Sequence, residues 1–219
     1  MKNCVVFDLD GTLVNTIDDI ASSVNKALAL HNLPLPAPHA YPKMVGWGLR
    51  RLVEQTLASP TDDLIDAICA DSLLFYQEEP ASRSFAYPGI KAVLQTLLEK
   101  DIKTAVLTNK PDSVACLVIA KIFPQHPFLS VRGDRAGAAK KPDKALSLEL
   151  LAEIGCSPEE TLFVGDSGVD VETAHNVGCP VIGVSWGFRP RLELEEAGAD
   201  RIVDTAQALQ EAIIALASR

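Results

Sequence analysis

Cys4-Val5-Val6-Phe7-Asp8-Leu9-Asp10-Gly11-Thr12 sets a short apolar, β-branched run directly against two aspartates and a glycine turn. The run predicts a buried strand over Cys4–Leu9 that stops at Gly11-Thr12. In a chain of this length the pattern D-x-D-G-T arises by chance with a probability of order 10⁻³. Asp8 and Asp10 sit two apart at the strand's end, so their charges repel unless a cation bridges them or one carboxyl holds a proton.

Outward from that strand the periodicity changes. Ile17, Ile20, Ala21, Val24, Ala27 and Leu28 share one helical face, with Thr16 or Asp18 placed to cap its start, and the helix runs to Leu33. Leu33-Pro34-Leu35-Pro36-Ala37-Pro38 breaks it, because each proline lacks a donor and restricts its predecessor. Helical patterns follow at Trp47–Ala58 and Asp62–Gln77.

After Glu79-Pro80 strands and helices alternate. Strands are expected at Lys103–Thr108, Phe128–Arg132, Thr161–Gly165, Val181–Val184 and Ile202–Val203. Helices are expected from Pro88-Gly89 to Lys100, and over Pro111–Lys121, Pro142–Ile154, Val169–Asn176, Arg191–Ala197 and Ala206–Ala217. Such alternation implies right-handed crossovers and a parallel sheet covered on both faces, a three-layer α/β/α arrangement. The all-helical block interrupts it after the first strand, so residues 16–83 read as an inserted helical domain within a core of 1–15 and 84–219.

The 219 residues suffice for a sizeable core without disulfides or a structural metal. Lys and Arg total 20 against 29 Asp and Glu, a net charge of −9, and with no basic block a nucleic-acid surface is not expected. The five cysteines are widely spaced without a C-x-x-C pair, which suits reduced thiols. No apolar run is long enough to span a bilayer, and the one before Asp8 is too short for a signal-peptide core, so a cytoplasmic location is expected. The histidines have no metal-ligand spacing, and Glu193-Leu194-Glu195-Glu196 reads as a solvated helix face.

In open α/β sheets ligands bind beyond the carboxyl ends of the strands. Four polar blocks fall there: Asp8-Leu9-Asp10-Gly11-Thr12, Thr108-Asn109-Lys110, Lys140-Lys141-Pro142-Asp143 and Gly165-Asp166-Ser167-Gly168-Val169-Asp170. Singly, Thr108, Asn109 or Lys141 is as readily a turn former or a cap. Together with the paired aspartates they predict a divalent-metal site beside a carboxylate nucleophile, with Asp166 supplying a further oxygen; magnesium prefers such oxygens together with a phosphate.

The four blocks in this order resemble the haloacid dehalogenase superfamily, in its magnesium-dependent phosphatase branch, over essentially the whole chain. Val45-Gly46-Trp47-Gly48-Leu49-Arg50-Arg51-Leu52-Val53 and Gly183-Val184-Ser185-Trp186-Gly187-Phe188-Arg189 are similar to stretches of phosphoglycolate phosphatase and its relatives. The resemblance implies a Rossmann-like core with a helical cap inserted after the first strand. It implies a Mg²⁺-dependent phosphatase of a small phosphorylated metabolite, phosphoglycolate foremost, acting through an aspartyl-phosphate. A pyrophosphatase, a sugar-phosphate or nucleotide phosphatase, and a phosphomutase of the same superfamily are the alternatives, and a non-catalytic phosphate-binding regulator is a further one.

The resemblance also implies roles for single residues. Asp8 would be the nucleophile and Asp10 the acid/base. Mg²⁺ would be held by the Asp8 and Asp166 carboxylates and the Asp10 backbone carbonyl, with Asp170 orienting a metal water or Lys141. Thr108, Lys141, Asn109 and the backbone from Asp8 through Leu9 to Asp10 would hold the phosphoryl group. Gly46, Trp47, Gly48 and Arg50 would offer a glycine turn, an aromatic ring and a cation to the substrate. The second Asp of D-x-D argues against dehalogenation.

Overall fold

The computed structural model describes residues 3–217 of the chain. Strand β1 (Cys4–Phe7) leads to the short β2 (Val14–Asn15), and four helices follow: α1 (Ile17–Leu30), α2 (Tyr41–Met44), α3 (Leu49–Thr56) and α4 (Asp62–Glu78). The short β3 (Phe85–Ala86) brings the chain back. Alternation then runs through α5 (Ile90–Glu99), β4 (Lys103–Pro111), α6 (Asp112–Ile122), β5 (Val131–Asp134), α7 (Lys144–Glu153) and β6 (Thr161–Gly165). The last elements are α8 (Gly168–Val177), β7 (Val181–Val184), α9 (Arg191–Ala197), β8 (Arg201–Val203) and α10 (Ala206–Ala217).

Six strands form one parallel sheet in the order β5-β4-β1-β6-β7-β8. All four residues of β1 are buried, as a central strand covered on both faces must be. Each fully buried Phe, Leu or Val of this kind contributes about 1.5–3 kcal/mol. Placing β1 between β4 and β6 brings the Asp8, Thr108 and Asp166 blocks side by side at the carboxyl edge. Connections diverge on either side of β1, which opens a crevice there.

Helices α1 and α4 pack together through Ile20, Val24, Ala27 and Leu28 of the first and Ile65 and Ile68 of the second. The i, i+4 and i+7, i+8 spacing in α1 is what aligns its apolar face. The helices lie between β2 and β3, which pair antiparallel as Val14↔Ala86 and Asn15↔Phe85. Two chain crossings thus form one narrow ribbon between the helices and the sheet.

Several boundaries differ from the sequence expectations for local reasons. The β2–β3 ribbon is not anticipated, since two-residue strands carry no periodicity. The helix expected from Trp47 begins at Leu49, because Gly46 and Gly48 hold φ of +117° and +89°. The helix expected from Pro142 begins at Lys144, where Asp143 accepts the Ala145 N–H at 2.8 Å. The strand expected at Phe128–Arg132 lies at Val131–Asp134, and β4 continues to Pro111. Helix α1 ends at Leu30, and Thr16 occupies its N-cap without a side-chain capping bond; its hydroxyl goes to Asp10 instead. Glu193 is more than a solvated side chain: it accepts the Gly168 N–H at 3.0 Å.

Candidate active site

Asp8 follows the last residue of β1, and its N–H bonds Val164 O of β6 at 2.9 Å. That tie holds the carboxylate at the centre of the sheet edge. Asp166 follows the end of β6, and Asp170 lies in the first turn of α8, where its Oδ2 accepts the Ser167 N–H and hydroxyl at 3.1 and 2.7 Å. Oxygens of Asp8, Asp166 and Asp170 all lie within 4.8 Å of one another, and all three residues are buried. Gly11 at φ +92° and Gly187 let two loops close on this cluster; a Cβ at either would collide with the Asp166 carboxylate.

Lys141 Nζ donates to Asp8 Oδ1 at 2.6 Å and to Asp170 Oδ1 at 2.7 Å. Burial alone would lower its pKa, but Asp170 and Asp8 hold it above the usual lysine value. One buried ammonium does not balance three buried carboxylates. Burial pushes Asp8 up to about 7 against the lowering by Lys141, and burial with the Asp8 charge pushes Asp166 well above the carboxylate range. Closely spaced hard oxygens with an excess of negative charge fit a divalent cation such as Mg²⁺.

Asp10 stands apart from that cluster. Thr16 donates to its Oδ1 at 2.7 Å, and Lys110 Nζ reaches Oδ1 and Oδ2 at 3.1 and 3.2 Å. Lys110 is itself buried, with its ammonium 4.7 Å from the centre of the Tyr76 ring. Thr108 Oγ1 accepts the Lys110 N–H at 3.2 Å, which leaves its proton to donate. Leu9 buries its side chain completely, so only its backbone is available to a ligand.

These groups line a partly open cavity between the sheet edge and the helices. Asp8, Asp10, Thr108, Asn109, Lys141, Asp166 and Asp170 line the sheet side; Ile20, Val45, Leu49, Leu52 and Tyr76 line the helical side. Gly46 and Gly48 line it too, whereas Trp47 and Arg50 do not. Trp47 is about half exposed, and Arg50 is spent on Asp62, Asp66 and Glu54 within the helical insert. Asn109 has its amide engaged by Gly46 and Lys141. Lys110, Tyr76 and Arg189 also line the cavity and carry no signal in isolation, since their meaning depends on the loop opposite them.

The family model described as haloacid dehalogenase-like hydrolase matches residues 5–184. The chain is 35% identical over 206 residues to a phosphoglycolate phosphatase of Haemophilus influenzae, covering 90% of this chain and 92% of that protein. It is 35% identical over 196 residues to a phosphoglycolate phosphatase of Rhodospirillum rubrum, covering 86% and 81%. The crystal structure of a predicted phosphoglycolate phosphatase from Haemophilus somnus superposes with a TM-score of 0.88 at 29% identity, covering 96% of this chain and 97% of that one.

Proposed function

Because the chain belongs to the haloacid dehalogenase-like hydrolases, we propose that it is a Mg²⁺-dependent phosphatase of a small phosphorylated metabolite, with phosphoglycolate as first substrate. One observation carries this reading: a buried Asp8 carboxylate, grouped with Asp166 and Asp170 and bonded to Lys141, lines the cavity between the sheet edge and the helices.

Asp8 attacks phosphorus through Oδ2, since Lys141 occupies Oδ1. The new O–P bond makes an aspartyl-phosphate as the bond to the leaving oxygen breaks. Asp10 supplies the proton to that oxygen from Oδ2, which Lys110 contacts at 3.2 Å but Thr16 does not. It then takes a proton from the water that attacks the aspartyl-phosphate, which frees phosphate and restores Asp8. Lys141 and the Thr108 hydroxyl hold phosphoryl oxygens as charge develops on them. The Asp8 and Asp166 carboxylates, with the Asp10 backbone carbonyl, would hold Mg²⁺, and Asp170 orients Lys141. The cation supplies positive charge that lets an anionic nucleophile approach an anionic phosphate.

Residues 16–83 act as a cap over a core of 1–15 and 84–219, with the β2–β3 ribbon as its neck. Apolar side chains from the cap, among them Ile20, Val45, Leu49 and Leu52, line the cavity opposite the reactive groups. The test is phosphate release from phosphoglycolate and a panel of small phosphomonoesters with Mg²⁺. Release is expected to vanish in EDTA and in Asp8→Asn, and hydrolysis retained in Asp8→Asn overturns the nucleophile.

A further inference from the structure

The loop between α2 and α3 touches the sheet edge through its backbone, and two side chains of the core hold it there. Arg189 donates from Nη1 to Lys43 O at 2.7 Å and from Nη2 to Val45 O at 2.8 Å. Asn109 Nδ2 donates to Gly46 O at 3.0 Å. Three carbonyls within four residues of the insert are therefore bound by core side chains. Gly46 and Gly48 sit in the left-handed φ region, and a Cβ on Gly48 would stand 3.4 Å from Asn109 O. The glycines suit a backbone that must turn tightly against the core.

Both holding residues also connect to the reactive groups. Asn109 brackets the Lys141 backbone: its Oδ1 accepts the Lys141 N–H at 2.9 Å, and its Nδ2 donates to Lys141 O at 3.1 Å. Arg189 follows Phe188, whose N–H donates to Asp166 Oδ2 at 2.7 Å. Each contact to the loop is thus one residue away from a group that positions Asp166 or belongs to the side chain that positions Lys141. Both Asn109 Nδ2 protons are engaged, by Gly46 O and Lys141 O, so neither is left to donate to a phosphate in this arrangement, which gives the residue a different task from phosphate binding.

We propose that Asn109 and Arg189 are positioning residues that couple seating of the 43–48 segment, the end of α2 and the loop after it, to the placement of Lys141 and Asp166. The proposal rests on the phosphatase reading of this site. When the loop is seated, its carbonyls fix the Asn109 amide and the Arg189 guanidinium, and through them the Lys141 backbone and the Phe188 N–H. When it lifts, Asn109 loses Gly46 O and Arg189 loses both of its loop carbonyls, and the reacting groups lose their register. A planar guanidinium can hold two carbonyls at once, whereas a lysine ammonium on a flexible stem cannot reproduce that fork.

The test compares the full-length wild type with Asn109→Ala, Arg189→Ala and Arg189→Lys, by amide hydrogen exchange and by steady-state phosphate release from phosphoglycolate with Mg²⁺. Exchange over 43–49 should quicken in all three variants, and kcat should fall about 10- to 100-fold, the scale of an ångström-sized misplacement. KM should change less than kcat, Arg189→Lys should recover part of the loss, and the double alanine variant should lose less than the product of the single losses. Lower thermal stability with kcat within twofold of wild type means that the residues are merely structural, and overturns the coupling. Unchanged exchange over 43–49 overturns it as well, while leaving the phosphatase reading intact. A wild-type protein that releases no phosphate from any ester overturns the phosphatase reading and the coupling with it.

Discussion

The Lys141 ammonium stands 2.6 Å from Asp8 Oδ1, and both side chains are buried. A charge-assisted bond of that kind is strong where water is excluded. In the proposed mechanism it also sets which Asp8 oxygen is left for attack.

The first prediction concerns that bond. Lys141→Ala removes the side chain that bridges Asp8 and Asp170. The phosphoryl group loses a cation where charge develops, so kcat is expected to fall about 10²–10³-fold, the cost of deleting one preorganised donor. Steady-state phosphate release checks this, and a loss smaller than tenfold would remove Lys141 from the mechanism.

A second prediction follows from the unbalanced charge. Without metal, Asp8 is pushed up to about 7, chiefly by burial, and Asp166 well above its usual value. Folded-state pKa values above the unfolded ones mean that the folded protein binds these protons more tightly. Their contribution to stability is fully present below the unfolded value of 3.8 and is lost as pH rises through about 7. A cation on the same oxygens displaces the protons, so its binding strengthens as pH rises. In thermal melts Mg²⁺ should therefore raise Tm more at about pH 8 than at about pH 6, relative to EDTA. An increment equal at both values contradicts the shared site.

A third prediction separates Lys110 from Lys141. Lys110 neutralises Asp10 inside the cavity, with the Tyr76 ring beside it. Lys110→Met keeps most of the volume but leaves the mostly buried Asp10 carboxylate without its cation, at a cost of up to about 3–5 kcal/mol. Adding Asp10→Asn should restore much of that stability, because the stranded charge is gone. Denaturant unfolding of the two single variants and the double variant checks the coupling, and additive losses would argue against it.

The parts of this molecule that were legible in sequence are those whose information is local. Asp8 and Asp10 announce themselves because an apolar strand and a glycine turn flank them within nine residues. Asp166 and Asp170 do so because strand, acid and helix start follow one another directly. The helical insert shows as a change of period from two-sided strands to one-sided helices. What stayed hidden depends on residues far apart in the chain. Asn109 could not be told from a phosphate ligand until Gly46 and Lys141 were placed around it. Arg50 looked like a free cation until α4 brought Asp62 and Asp66 to it. Thr16 looked like a helix cap until the chain turned its hydroxyl to Asp10.

The last prediction concerns the neck between core and insert. Asp19, buried in the first turn of α1, accepts the Ser82 hydroxyl at 2.9 Å, the Arg83 N–H at 3.1 Å and the Ser84 N–H at 2.8 Å, and also bonds the Ser84 hydroxyl. One carboxylate thereby ties the outgoing crossing of the chain to the returning one, just beyond the β2–β3 ribbon. Asp19→Ala leaves at least two backbone N–H groups without their acceptor, and bonds to a charged group are worth about 1.5–3 kcal/mol each. Because the lost contacts join two linkers rather than fill a core, local opening of residues 79–86 should exceed any loss in the sheet. Limited proteolysis should cut the variant within 79–86 while wild type resists, and amide exchange in β1 and β6 should stay slow. Cleavage spread evenly over the chain would instead mean that Asp19 supports the fold as a whole.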